Sequence, residues 1–379
     1  MVIKIVVGAN FGDEGKGLMT DYFCRQSALR GEKCLVVLHN GGAQRGHTVV
    51  TPEEHRHVFH HFGSGTFAGA DTYLSGDFIL NPMVFRQEWE ELEKISVTPM
   101  VYVNYECRVT TPFDMILNQI LEGSRGSSRH GSCGMGIQET IIRDVYNYPC
   151  EIWMNSSDKT KRYYLEKVRL YVIERLKELG IEAPEGWSKI IYSDVLIENF
   201  ISDLNFVCEH IFIIPDNNII GRYDCAVFEN GQGLLLDQNN KEYFPHLTPS
   251  NTGVKNPLEI IAWMQCIDDV EVCYVTRTYL TRHGAGRLDG ECDKSEINPD
   301  MQDLTNVPNP HQGTLRYAKL DKEALTARIL KDFRPARLWN AELSLAITHT
   351  NEFPFEQKFD FADKIYESDG ECYTSVQKV

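Results

Sequence analysis

The stretch that most constrains this chain is residues 2–17. An apolar, β-branched run, Val2-Ile3-Lys4-Ile5-Val6-Val7, stops at Gly8 and passes through Ala9-Asn10-Phe11-Gly12-Asp13-Glu14-Gly15-Lys16-Gly17. It then opens into a helical pattern marked by Met19, Phe23 and Leu29. Strand, glycine-rich loop and helix in that order make an anion site: glycines let backbone N–H groups approach phosphate oxygens, and the helix N-terminus adds its positive end. Lys16 can reach a transferring phosphate, and Asp13 can hold Mg²⁺ or take a proton. The widespread pattern G-x-x-x-x-G-K-[ST] is not met, because Asn10 stands at the first glycine and Gly17 replaces the metal-binding hydroxyl. The competing reading is a tight turn whose acidic pair and lysine merely face solvent.

Composition narrows the partners. With Lys+Arg 38 against Asp+Glu 54 the net charge is -16, which argues against a nucleic-acid or anionic-membrane surface. Small anions remain admissible, since a local nest of glycine, Arg and Lys outweighs acidic groups beyond a Debye length of about 8 Å. Eleven cysteines, an odd number without a C-x-x-C pair, suggest neither a disulfide framework nor a zinc site, and a reducing cytoplasm is expected. The opening apolar run is too short for a signal segment and no run of about 18 apolar residues follows, so an unprocessed soluble protein is expected. A length of 379 residues suits two or three domains or one large α/β domain.

Further along, short apolar runs alternate with glycine turns. Residues 33–38 form a second strand that feeds His39-Asn40-Gly41-Gly42-Ala43-Gln44-Arg45-Gly46-His47-Thr48. A strand–helix–strand unit of this length implies a parallel crossover, with both turns at the carboxyl edge of one sheet, where open α/β folds bind ligands. There His47 can donate to a developing oxyanion, or it simply caps a turn. Residues 123–136 are a third glycine-rich loop with hydroxyls and arginines, a phosphate clamp or mobile lid if not a linker. Residues 159–179 predict an amphipathic helix stopped by Gly180. Residues 225–236 predict a strand ending in a glycine-bracketed Gln232, whose amide offers a base edge both donor and acceptor. Residues 272–279 and 343–348 predict the last two strands.

Gly12-Asp13-Glu14-Gly15-Lys16-Gly17, Gly46-His47-Thr48, Gly231-Gln232-Gly233 with Leu236-Asp237, residues 243–252 and Thr281-Arg282-His283-Gly284-Ala285-Gly286 together resemble, in order and spacing, the adenylosuccinate synthetase family. The resemblance implies a single α/β domain over residues 1–379, built on a large, mostly parallel sheet of P-loop-NTPase-like character, with helical and loop subregions inserted at residues 85–210. It also implies a Mg²⁺-dependent cytoplasmic homodimer that ligates L-aspartate to carbon 6 of IMP, a nucleoside triphosphate activating the oxygen through a 6-phosphoryl intermediate. Carried over position by position, Asp13 becomes the base at purine N1 and a Mg²⁺ ligand together with the Gly46 carbonyl, and His47 becomes the acid. Gly12, Glu14, Gly15, Lys16, Gly17, Gly46, Thr48, His349 and Asn351 fall at the donor nucleotide. Ser132, Cys133, Arg143, Gln232, Leu236, Thr248, Arg282 and Arg316 fall at the substrates, with Arg143 reaching across the dimer interface.

Three positions depart from the family pattern. Cys133 stands where a hydroxyl is expected. The family's guanine-reading Thr-Lys-Leu-Asp appears here as Thr348-His349-Thr350-Asn351. An amide lacks the charge assistance that favours guanine and suits adenine at least as well, so the family's GTP preference is expected to be relaxed or lost, with the donor either GTP or ATP. The aspartate loop, residues 306–317, retains a single arginine, Arg316, and the acidic substrate falls to Arg316 or Arg282. These features bring in two alternatives: a phage-type relative that aminates dGMP with ATP, although such relatives usually carry Ser where this chain keeps Asp13, and a catalytically silent nucleotide-binding paralogue.

Overall fold

A computed structural model describes residues 1–143, 147–300, 313–353 and 359–379 of the chain. Its first half runs β1 (Val2–Gly8), α1 (Lys16–Leu29), β2 (Cys34–Leu38), β3 (His47–Val50), β4 (Arg56–Phe59), β5 (Asp71–Leu74), β6 (Ile79–Leu80), α2 (Pro82–Lys94), β7 (Val101–Asn104), β8 (Arg108–Val109) and α3 (Pro112–Ser124). Helices α4 (Ile137–Ile142), α5 (Cys150–Asn155), α6 (Asp158–Glu178), α7 (Glu185–Ile191) and α8 (Asp194–His210) then lead to β9 (Phe212–Ile214) and β10 (Cys225–Gly233). The remainder is α9 (Lys255–Ile261), β11 (Asp269–Arg277), β12 (Tyr279–Arg282), β13 (Glu291–Cys292), β14 (Arg316–Lys319), α10 (Lys322–Phe333), β15 (Glu342–Thr348), β16 (Lys364–Ser368) and β17 (Val376–Lys378).

Ten strands form one sheet in the order β17-β16-β15-β11-β1-β10-β2-β5-β7-β9. Every pairing is parallel except the one between β16 and β17. The strands are apolar on both faces because both are covered: Val6, Val36 and Leu38 pack into one cluster, while their alternating neighbours Ile5, Val7, Leu35 and Val37 pack into another. β1 and β2 are parallel as expected, with β10 inserted between them. The loops after β1, β2 and β10 therefore leave the sheet side by side.

Local signals placed the helices. Thr111 and Asp114 form a reciprocal capping box around Pro112 at the start of α3, and the Asn81 side chain caps α2. The helix expected at residues 159–179 spans Asp158–Glu178, buries Leu165, Val168, Val172 and Leu176, and is followed by Gly180 at φ 65. The strand expected at residues 272–279 is corrected: it leaves the central sheet at Arg277, and Tyr279–Arg282 belongs to a separate three-stranded sheet. Thr278 makes the break, its N–H donating to the Thr348 carbonyl and its hydroxyl to that of His349. All eleven cysteines are free thiols. Among the described residues no helix is long and apolar enough to cross a membrane.

Candidate active site

At the carboxyl ends of β1, β2, β10, β11 and β15 lies a cavity of about 330 Å³. Its floor is the loop between β1 and α1. Gly12 and Gly15 sit at φ 111 and 94, and between them Asp13, a residue with a side chain, is held at φ 55. Gly15 precedes α1 without a side-chain cap, so the first N–H groups of that helix are left for an anion. Lys16 and Glu14 are buried there; a Cβ on Gly8 would stand 2.6 Å from Glu14 Oε2 and 3.0 Å from Lys16 Nζ, which shows how tightly both side chains cross the end of β1. Burial pushes the Glu14 carboxyl up to about 7 against the pull of Lys16, and burial also lowers the Lys16 ammonium.

His47 enters the same cavity from the start of β3. Its Nδ1 lies 2.6 Å from Oε1 of Glu229, a fully buried carboxylate on β10. Glu229 also accepts from the Arg45 guanidinium at 2.9 Å, from the Ser64 N–H at 3.1 Å, and from the Ser64 hydroxyl. Burial alone would raise Glu229, but Arg45 and His47 outweigh it and bring it down to about 2. Burial first and Arg45 second push His47 down to about 3, so the imidazole is neutral at pH 7. Nδ1 also stands 2.8 Å from Arg45 Nη2, which already donates to Glu229; the nearer carboxylate, at 2.6 Å, is the acceptor that draws the proton to Nδ1 and leaves Nε2 for a ligand.

Asp13 is one third exposed to the cavity, its Oδ2 3.4 Å from Nε2 of His283. Gln232, at φ 58, contributes a buried Oε1 with no partner among the described residues. His349 at φ 60, Asn351, Glu352, Gly370 and Glu371 complete the wall, with Arg56 Nη1 2.6 Å from Glu371.

Of the residues assigned from sequence, Gly12, Asp13, Glu14, Gly15, Lys16, Gly17, Gly46, His47, Thr48, Gln232, Leu236, Arg282, His349 and Asn351 line this one cavity. Arg282 is buried, its guanidinium 4.5 Å from the centre of the Phe11 ring and 5.5 Å from that of Tyr243. Ser132, Cys133, Arg143, Thr248 and Arg316 are not on its lining. Ser132 donates to Asn118 at 2.7 Å, and its N–H joins that of Gly131 in holding Glu122. Thr248 is tied through its N–H to the carbonyl of the cavity residue Leu236. Arg316 holds Glu291 and the carbonyls of Gly284 and Gly286. Arg143, expected to reach across a dimer interface, is fully buried within this single chain, where its Nε and Nη2 clasp the Asp114 carboxylate at 2.8 and 3.1 Å. Residues 306–312 of the expected aspartate loop lie outside the described residues.

Sequence reasoning missed Glu229, Arg45, His283, Arg277, Glu352 and Glu371. A usable signal existed for Glu229, since a carboxylate closing the apolar run Ala226-Val227-Phe228 on a central strand requires a buried partner. The others depend on chain-distant contacts.

Comparison with known proteins bears on the family and the fold. The family model described as adenylosuccinate synthetase matches residues 5–309. The adenylosuccinate synthetase of Synechocystis sp. is 27% identical over 325 residues, covering 79% of this chain and 65% of that protein, so the match spans less than two thirds of that relative's length. Among solved structures, the fully ligated adenylosuccinate synthetase of Plasmodium falciparum superposes with a TM-score of 0.67 at 15% identity, covering 99% of this chain and 86% of that one. The cyanophage S-2L succinoaminodeoxyadenylate synthetase bound to dGMP and dATP gives 0.64 at 12% identity, covering 99% and 95%; both show the shared fold. From its sequence and its architecture, this chain belongs to the adenylosuccinate synthetase family.

Proposed function

We propose that this protein is a cytoplasmic, Mg²⁺-dependent ligase that joins the amine of L-aspartate to carbon 6 of a 6-oxopurine nucleoside monophosphate, IMP first, at the expense of a nucleoside triphosphate. The observation that carries the reading is that Asp13, on the loop after β1, and His47, at the start of β3, face one cavity, with a phosphate cradle between β1 and α1. In this reading Asp13 takes the purine N1 proton, O6 attacks the γ-phosphorus of the donor, and the donor leaves as the diphosphate. His47 stabilises the charge that develops on O6, and Glu229 supports the imidazole through Nδ1. The negative charge of bound phosphates opposes the effect of burial on His47 and favours its protonation at Nε2. The aspartate amine then displaces inorganic phosphate from carbon 6.

Asp13, a single carboxylate exposed beside the uncapped start of α1, suits a Mg²⁺ ion bound chiefly by substrate phosphates, with the Gly46 carbonyl as its second protein ligand. Bound there, the ion would neutralise phosphate charge. Gln232 would face the purine, and Lys16 with the amides of Gly15–Gly17 would hold the donor phosphates. Ser132, Cys133 and Thr248 would reach the monophosphate after the loop at residues 123–136 closes, and Arg282 with Arg316 would serve the aspartate carboxylates.

Asn351 on the cavity wall supports ATP as a competent donor and keeps dGMP as the second acceptor reading. Incubation of the purified protein with aspartate, Mg²⁺, ATP or GTP, and each monophosphate in turn decides between them. Phosphate release that requires aspartate and IMP is the expected result. Release with dGMP alone would select the second acceptor, and nucleotide binding without any release would leave a silent paralogue.

A further inference from the structure

A line of partly buried hydrogen bonds leaves the loop that carries Asp13 and ends beside His349 and Asn351. The Nε of Arg277, at the last position of β11, donates to the Asp13 carbonyl at 2.5 Å. Its Nη1 donates to the Tyr279 hydroxyl at 2.8 Å, and that hydroxyl donates to Oε2 of Glu352. The Glu352 N–H closes onto the His349 carbonyl at 3.0 Å. A second tie runs alongside: the Thr348 hydroxyl donates to the Glu14 carbonyl at 3.0 Å, and a Cβ on Gly15 would fall 2.9 Å from Thr348 Cγ2. The direction of donation is fixed, because a guanidinium only donates and an ionised carboxylate only accepts, so the phenol between them must do both.

Asp13 needs such support. Its φ of 55 is a left-handed conformation that a residue with a side chain keeps only where its surroundings hold it. Arg277 grips the carbonyl of that residue, while its other arm reaches the segment that carries Glu352, itself on the cavity wall.

We infer that Arg277 is a positioning residue that sets the Asp13 carboxylate, and that Tyr279 and Glu352 couple it to the segment at residues 348–352, so that a donor purine nucleotide seated there strengthens binding of the acceptor nucleotide at Asp13. The inference rests on the proposed reaction for the identity of the two nucleotides. Three variants test it: Arg277→Met removes both arms, Arg277→Lys keeps charge without the fork, and Tyr279→Phe removes only the hydroxyl.

The affinity for IMP, or for whichever monophosphate supports turnover, is measured by calorimetry with and without a non-hydrolysable triphosphate. The ratio of the two dissociation constants is the coupling. Wild-type protein is expected to show coupling of about fivefold or more. Tyr279→Phe should bring it close to one while leaving each nucleotide's affinity alone within about threefold, a selective loss that general loosening of the fold does not produce. Arg277→Met should lower kcat by about 100-fold with KM for the monophosphate little changed, and Arg277→Lys should recover only part of that loss. Should Arg277→Met fail to fold, the Tyr279→Phe coupling decides alone. Undiminished coupling in Tyr279→Phe, or wild-type protein that binds both nucleotides independently, overturns the inference without touching the reaction. Wild-type protein that releases no phosphate overturns the reaction, and the binding data still decide the coupling.

Discussion

The cavity presents two histidine–carboxylate pairs in opposite surroundings. His47 and Glu229 are buried, 2.6 Å apart, and share their enclosure with Arg45. His283 and Asp13 stand 3.4 Å apart at 19% and 33% exposure. In the buried pair, a low dielectric makes each neighbour decisive: Arg45 holds Glu229 ionised and, with burial, keeps the imidazole neutral. In the partly exposed pair water screens the charges and leaves the carboxylate able to change partner, which suits the base and metal-ligand roles proposed for Asp13. The contrast teaches that proton placement at His47 is built into the core, whereas Asp13 is governed by backbone geometry.

The strongest test of this contrast is Glu229→Ala. It strips the buried guanidinium and imidazole of their shared carboxylate, and kcat is expected to fall by about 10³-fold with a loss of about 3–5 kcal/mol in unfolding free energy by denaturant titration. Retained stability would mean that Arg45 finds another partner. Asp13→Asn comes next: kcat should drop by about 10²–10³-fold while stability changes by less than about 1 kcal/mol, since this carboxylate is not enclosed. A third variant, Asn351→Asp, restores a charged acceptor and should shift kcat/KM toward GTP over ATP by about tenfold.

Glu14 gives the contrast a pH dimension. Its folded value, about 7, lies above the 4.5 of an ordinary glutamate, so the stability tied to its protonated form is complete below pH 4.5 and is lost as pH rises through 7. Glu14→Gln, which cannot ionise, should therefore gain in Tm relative to wild type at pH 8 compared with pH 5; an equal difference at both values would place the titration elsewhere. The smallest effect is expected at the rim, where Arg56→Ala breaks the pair with the well-exposed Glu371 and should cost less than about 1 kcal/mol.

Much of the floor was legible in advance. The order of residues from Val2 to Leu29 announces strand, anion loop and helix, and fourteen of the assigned residues do line one cavity. The walls were less legible. Arg143 carries the same charge in either role, and only the fold turns it onto Asp114. Ser132 and Cys133 sit on a loop held by α3 through Asn118 and Glu122, contacts that no spacing rule reports.

By itself the sequence determined the elements and the chemistry on offer: period-two and period-3.6 patterning, caps at Thr111 and Asn81, and glycines that bring backbone N–H groups to an anion. Only the tertiary structure decided which charges share an enclosure. Glu229 meets His47 across 182 residues, and Arg277 meets Asp13 across 264. Such pairings arise when parallel strands bring their carboxyl ends together, and burial then turns proximity into fixed protonation and fixed geometry.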